Sequence, residues 1–140
     1  MRQAGVAVYV HVAWATWDRL PLVVGELEQR IHRAIAAKCA ELGAEVIALG
    51  GVEDHIHLLV KLPATLSLAR LIGEVKGASS HLVTHDIYTD GQFFKWQGAY
   101  GAASVSPRAL SEVSIYIANQ KAHHSAQSLI PEWEPHLTEQ

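Results

Sequence analysis

The spacing of apolar side chains divides the chain into alternating and helical stretches. Residues 5–16, rich in Val, Tyr and Trp, alternate with period two, which predicts a half-buried strand. His11 interrupts the apolar run and no small-residue cleavage site follows it, so the run reads as a strand and not as a signal peptide. Residues 25–43 place Leu27, Ile31, Ala34, Ile35 and Leu42 near helical spacing, with Gly43 where a helix C-cap wants it. AEVIALGGVED, residues 44–54, predicts a second strand ending in a glycine-rich turn. HIHLLVKLP follows as a third strand, stopped by Pro63. A second helix is predicted over 67–87, opened by Thr65 or Ser67 and carrying Leu68, Leu71, Ile72, Val75 and Leu82. Gly77 and two serines weaken its middle. The aromatic stretch 92–106 is irregular and holds a short fourth strand. Ser106 as N-cap and Pro107 in the first turn start a last helix that runs to about residue 127. A tail broken by Pro131 and Pro135 follows.

The order β-α-β-β-α-β-α, with strands two and three joined by a short turn, predicts an α+β, ferredoxin-like antiparallel sheet. Its helices cover one face, and a C-terminal helix is added. Residues 1–140 read as a single domain, with no repeat or linker. So small a sheet leaves a face or an edge to hide, which predicts a homodimer.

Within the third strand, His55 and His57 share a face while Ile56 and Leu58 point the other way. Two imidazoles side by side are either half of a metal site or a pair of satisfied polar residues at a strand end. On the last helix Tyr116 and Gln120 are neighbours one turn apart, on the flank of an apolar stripe of Leu110, Val113, Ile117 and His124. Taken alone, that pair is as well explained by a packed ring and a solvent-facing amide. If the two pairs meet, two imidazoles and an amide oxygen make a neutral ligand set for a divalent cation. Such a cation can polarise a phosphate oxygen, with a nearby tyrosine as nucleophile. With oxygen-rich substrate ligands this favours Mg2+ or Mn2+; three imidazoles would point to zinc.

Composition narrows the classes. The chain has 140 residues, 49% hydrophobic and 18% charged, which excludes disorder, and no apolar stretch is long enough to span a bilayer. The single Cys39 excludes an internal disulfide, reads as a buried inert thiol and fits a reducing cytoplasm. The net charge of −3 does not announce a nucleic-acid binder. Its distribution permits one: residues 55–124 hold six basic and four acidic residues, the remainder five and ten.

Four separated stretches carry a resemblance. HIHLLV resembles a His-hydrophobic-His metal motif, and LIGEVKGASS the lysine-glycine-serine stretch that follows it. WQGAYGAASVS resembles a tryptophan and tyrosine-glycine segment, and YIANQKAHH a catalytic helix. In this order and spacing, over about residues 8–124, the chain resembles the single-tyrosine transposases of the HUH nuclease superfamily. These include insertion-sequence and REP-associated members. The resemblance implies His55 and His57 as metal ligands, Gln120 as the third and Tyr116 as the nucleophile. It implies attack on single-stranded DNA, a 5′-phosphotyrosine link, recognition of DNA hairpins and a homodimer.

Lys76 is then expected to contact phosphate, and Arg19, after the first strand, to contact DNA. Trp96 and Tyr100 offer faces for unpaired bases, although a buried Trp96 is equally consistent with the pattern. His123 lies on the Tyr116 stripe and is a candidate for proton transfer, whereas His124 reads as core. Ser79 and Ser80 cap or break their helix, or touch DNA. Trp14 and Trp17 pack on the sheet or at a dimer seam, and His32, His81 and His85 read as surface. Two other classes stay open: a hairpin-binding module that no longer transposes, and a histidine-based dimer sensing nickel or zinc.

Overall fold

The computed structural model of the chain describes residues 5–126 and 130–134. Strand β1 (Val8–Ala15) pairs with β3 (His55–Leu62) on one side and β4 (Gly101–Val105) on the other. β3 also pairs with β2 (Glu45–Val52), so the order is β2-β3-β1-β4 with every pair antiparallel. This is the predicted arrangement. Glu53 and Asp54 form the whole connection between β2 and β3, and Gly51 (φ 150°) supplies the backbone angle before it.

Helices α1 (Gly25–Glu41) and α2 (Leu68–His81) cover one face. Ile56, Leu58 and Val60 of β3 and Val12 and Trp14 of β1 meet Leu27, Ile31, Ile35 and Cys39 of α1 and Leu71, Ile72 and Val75 of α2. A large apolar side chain fully buried there contributes roughly 1.5–3 kcal/mol. The α1 stripe runs through Cys39, leaving Ala34 and Leu42 half-buried, and Gly43 (φ 81°) takes the left-handed position after the helix. Burial pushes the Cys39 thiol up to about 11, which keeps it protonated.

Ser67 caps α2 by accepting from Arg70 N at 3.1 Å. Gly77 and the serines do not interrupt this helix, because Ser79 Oγ donates inward to Val75 O at 2.7 Å. The α-helix ends at His81 and not at 87. Residues Leu82–Ile87 widen into a π turn in which Thr84 Oγ1 donates to Ser80 O at 2.9 Å, so Val83 enters the core in place of Leu82.

The other face of the sheet carries α3 (Leu110–Ala118), whose Val113 and Ile117 pack on Leu59. Ser106 and Pro107 open a 3-10 turn before α3, and the Ser106 side chain makes no cap bond. The last helix is not continuous to residue 127. Asn119 leaves helical geometry (φ −106°, ψ 24°), its side-chain amide donates to Ile115 O at 3.0 Å, and α4 (Gln120–Ala126) starts afresh. Gly50 lets α3 lie this close: a Cβ there would stand 2.5 Å from Ile117 O. No helix among the described residues is long and apolar enough to cross a membrane.

Candidate active site

Alternation along β3 sends Ile56 and Leu58 into the core under α1 and α2, and His55 and His57 to the α3 side. Both imidazoles are fully buried, with ring centroids 5.0 Å apart. The α3–α4 segment delivers Tyr116, 3% exposed, to a ring distance of 6.1 Å from His57. It also delivers Gln120, whose Oε1 lies 3.2 Å from His55 Nε2. The two sequence pairs therefore meet. His123 stacks on Tyr116 with centroids 4.5 Å apart. His124 is not core: the restart of the helix at Gln120 turns it onto the site, where its Nε2 lies 3.1 Å from Gln120 Oε1.

Each β3 histidine is held from behind by a residue the sequence patterns did not single out. Asp54 Oδ1 is 2.8 Å from His55 Nδ1, and Arg19 donates to the same carboxylate from Nε at 3.1 Å and Nη2 at 3.3 Å. Asp18 and Arg19 both take left-handed backbone angles (φ 54° and 55°) to make that reach. His11, 4% exposed, shares a 2.8 Å hydrogen bond from its Nε2 to His57 Nδ1. In the antiparallel register His11 sits diagonally from His57, two pairs along from Ala13. Burial, with His57 beside it, lowers His11 to about 4. Burial also lowers His57 and His124, whereas at His55 it is outweighed by the Asp54 and Glu134 carboxylates, which raise it. Burial resists ionisation of Asp54, yet the hydrogen bonds from His55 and Arg19 prevail and lower it.

A third unanticipated residue comes from the tail. Ile130 N donates to the Tyr116 hydroxyl at 3.0 Å, Trp133 packs edge-on against the Tyr116 ring at 4.9 Å, and Glu134 enters the histidine cluster. Its Oε1 lies 3.2, 3.3 and 3.4 Å from the Nε2 atoms of His55, His57 and His124, and its Oε2 accepts from Tyr116. Burial works against the Glu134 carboxylate, but His55, His57 and Tyr116 hold it far below its ordinary range. Burial and the same carboxylate raise Tyr116. No periodicity marks Glu134, which lies between two prolines.

The residues expected on DNA divide. Tyr100 is 41% exposed. Trp96 does not: it is a core residue at 6% exposure, packed on Trp14 and Phe94 and donating to Ser79 Oγ at 3.0 Å. Ser79 is thus a buried partner and neither a break nor a DNA contact. Arg19 is directed at Asp54. Lys76 donates to the carbonyls of Gln97 (2.6 Å) and Ala99 (3.3 Å), tying α2 to the loop before β4, and burial lowers it. Trp14 lies in the core and His32 is half-buried, while His81 and His85 stack on each other at the surface.

The donor set fits a divalent cation. His57 Nε2 is buried without an aligned hydrogen bond, though Glu134 is within ion-pair distance. Gln120 Oε1 and Glu134 Oε1, both acceptors only, face the same imidazole nitrogens. His55, His124 and Glu134 each offer a ligand atom, all within 4.8 Å of one another, a spacing that suits a cation.

Residues 5–120 match the family described as Transposase IS200 like. The ISDra2 transposase TnpA of Deinococcus radiodurans is 24% identical over 116 residues, covering 79% of this chain and 81% of that protein. A transposase for insertion sequence element IS200 of Salmonella typhimurium is 25% identical over 83 residues, 59% of this chain and 54% of its own. Two solved structures share the fold, each with a TM-score of 0.66. One is a candidate transposase from Deinococcus radiodurans, 22% identical and covering 86% of this chain and 95% of its own. The other is a REP-associated tyrosine transposase bound to a REP hairpin, 16% identical and covering 100% and 93%.

Proposed function

Because the chain belongs to the IS200-like transposase family, we propose that it cuts and rejoins single-stranded DNA with Tyr116 as nucleophile. The observation that carries this is the meeting of Tyr116 and Gln120 with His55 and His57 in one buried cluster. Residues 1–140 then act as one nuclease domain.

In the forward step the Tyr116 oxygen attacks the scissile phosphorus and the bond from phosphorus to the 3′-oxygen breaks. The tyrosine proton is lost, the 3′-oxygen leaves as a hydroxyl, and the 5′-phosphate stays on Tyr116. A 3′-hydroxyl attacking that link reverses the exchange and frees the tyrosine, so no nucleotide cofactor is consumed. His55, His57 and Gln120 would hold Mg2+ or Mn2+, which when bound supplies positive charge to a non-bridging phosphate oxygen. Asp54 orients His55 so that Nε2 faces the site, and His11 does the same for His57. His123, stacked on the Tyr116 ring, would pass the proton.

Hairpin DNA is the proposed partner, supported by the REP hairpin on the fold neighbour. Tyr100 would stack an unpaired base; Arg19 and Lys76 would shape the DNA surface through the loops they tie down, as well as by charge. A homodimer working in the cytoplasm completes the reading.

The test is a denaturing gel with hairpin-bearing single strands from the gene's flanks and Mn2+. Wild type should give a covalent protein–DNA band that Tyr116→Phe and His57→Ala lose. Hairpin binding with no band in wild type would sink the nuclease reading and leave the binding module. Retention of the band in Tyr116→Phe would remove Tyr116 from its role.

A further inference from the structure

Beyond His55, His57 and Gln120, we infer that Glu134, a residue of the C-terminal segment, is itself a ligand of the cation in this site, an inference that rests on the cation reading above. The argument is the shape of the donor cage. Glu134 Oε1 stands 3.2, 3.3 and 3.4 Å from three imidazole nitrogens, and Gln120 Oε1 stands 3.2 and 3.1 Å from two of the same three. Donors that share one cation at about 2.0–2.2 Å are themselves roughly 2.8–3.1 Å apart along an octahedral edge and roughly 3.3–3.6 Å apart along a tetrahedral one. The five edges measured here run from 3.1 to 3.4 Å and bridge those two spacings.

One nitrogen of the cage is left over by hydrogen bonding: His57 Nε2 is buried without an aligned partner, 3.3 Å from Glu134 Oε1. A cation held between that nitrogen and the carboxylate would satisfy both. Glu134 also groups with His55 and His124, their ligand atoms all within 4.8 Å of one another.

The carboxylate has a second attachment. Glu134 Oε2 takes the Tyr116 hydroxyl and lies 3.4 Å from Gln120 Nε2, so one side chain links the ligand cage to the tyrosine. Ile130 N on the Tyr116 oxygen and Trp133 on its ring fix the segment that brings Glu134 in. The site thereby changes from a neutral ligand set to one carrying a negative charge, supplied from outside the β3 and α3–α4 framework.

The experiment is titration of the full chain with Mn2+ alone, read by electron paramagnetic resonance of free Mn2+ and by water-proton relaxation of the bound ion. Glu134→Gln, His57→Ala and the exposed Glu112→Gln are compared with wild type, with circular dichroism verifying each fold. Glu134→Gln should weaken Mn2+ binding about tenfold or more and raise the relaxivity of what remains bound, as water replaces the carboxylate. Glu112→Gln should match wild type. Weakening in His57→Ala with an unchanged Glu134→Gln would overturn Glu134 as a ligand while keeping the cation site. No Mn2+ binding by wild type, or no change in His57→Ala, would overturn both. If Glu134→Gln fails to fold, Glu134→Asp decides: unchanged affinity and relaxivity with a carboxylate one methylene shorter would refute direct ligation.

Discussion

Adding one methyl group at Gly50 should disable the tyrosine without touching any chemical group. A Cβ at Gly50 would lie 2.5 Å from the Ile117 carbonyl oxygen and 3.2 Å from its Cγ2, where ordinary contact begins at 3.4 Å. The carbonyl is backbone, so relief requires α3 to back away by about 0.9 Å, because packed elements move as units. Tyr116 is the residue before Ile117 and moves with it. A displacement near 1 Å at a reacting group costs on the order of a hundredfold in rate, while overpacking costs roughly 1–3 kcal/mol of stability. Gly73 gives the matched control. It lies inside α2 with nothing within 4 Å of a built Cβ, so Gly73→Ala should stabilise by about 0.5–1 kcal/mol. The assay pairs urea unfolding with the single-turnover rate of covalent adduct formation on a hairpin-bearing strand. Gly50→Ala should remain folded and lose most of its rate; Gly73→Ala should gain stability and keep its rate. Wild-type rate in Gly50→Ala would refute the reasoning, as would an equal loss in both variants.

Other expectations follow from the groups behind the site. Asp54→Asn should weaken Mn2+ binding by about 10–100-fold through its hold on His55 Nδ1, read by calorimetry; unchanged affinity would show that the pairing does not orient the ring. His11 titrates at about 4 in the folded chain and near 6.5 when unfolded, so between those values the unfolded state binds the extra proton. Without divalent cation, stability should therefore fall as pH drops from about 6.5 toward 4, by up to about 1.4 kcal/mol per unit from this group. Urea unfolding of His11→Gln should lack that share of the slope, and an identical slope would assign it elsewhere. Ser79→Ala removes the acceptor of Trp96 Nε1 in the core, and should cost roughly 1–3 kcal/mol in urea unfolding without altering adduct yield in the remaining folded protein. A loss below 0.5 kcal/mol would contradict it.

The strands and the sheet order were legible because period-two alternation and the short β2–β3 turn are local signals. The pairing of Tyr116 and Gln120 was legible too, since one helical turn separates them. The break at Asn119 was not: a side-chain amide competing for Ile115 O leaves no mark on apolar spacing, and it decides where His124 points. His11 looked like an interruption of a strand until the β1–β3 register set it against His57. Trp96 shows the reverse limit, since an indole with its N–H satisfied inside the core has the same letter as one offered to a base. Glu134 reaches the site by a tertiary path across the Tyr116 ring, on which neither composition nor periodicity bears.

Tyr116, Gln120, His55 and His57 all belong to one chain and meet within it. Under the reading proposed here, strand cleavage is then first order in protein, because a lone molecule carries every part it needs. With one such tyrosine per molecule, a single chain retains only one DNA end. Exchanging two ends calls for two loaded chains, which the homodimer proposed above would hold together. Where the dimer comes apart, cutting would run ahead of joining, and the unimolecular return of the severed 3′-hydroxyl to its own phosphotyrosine would keep most events silent.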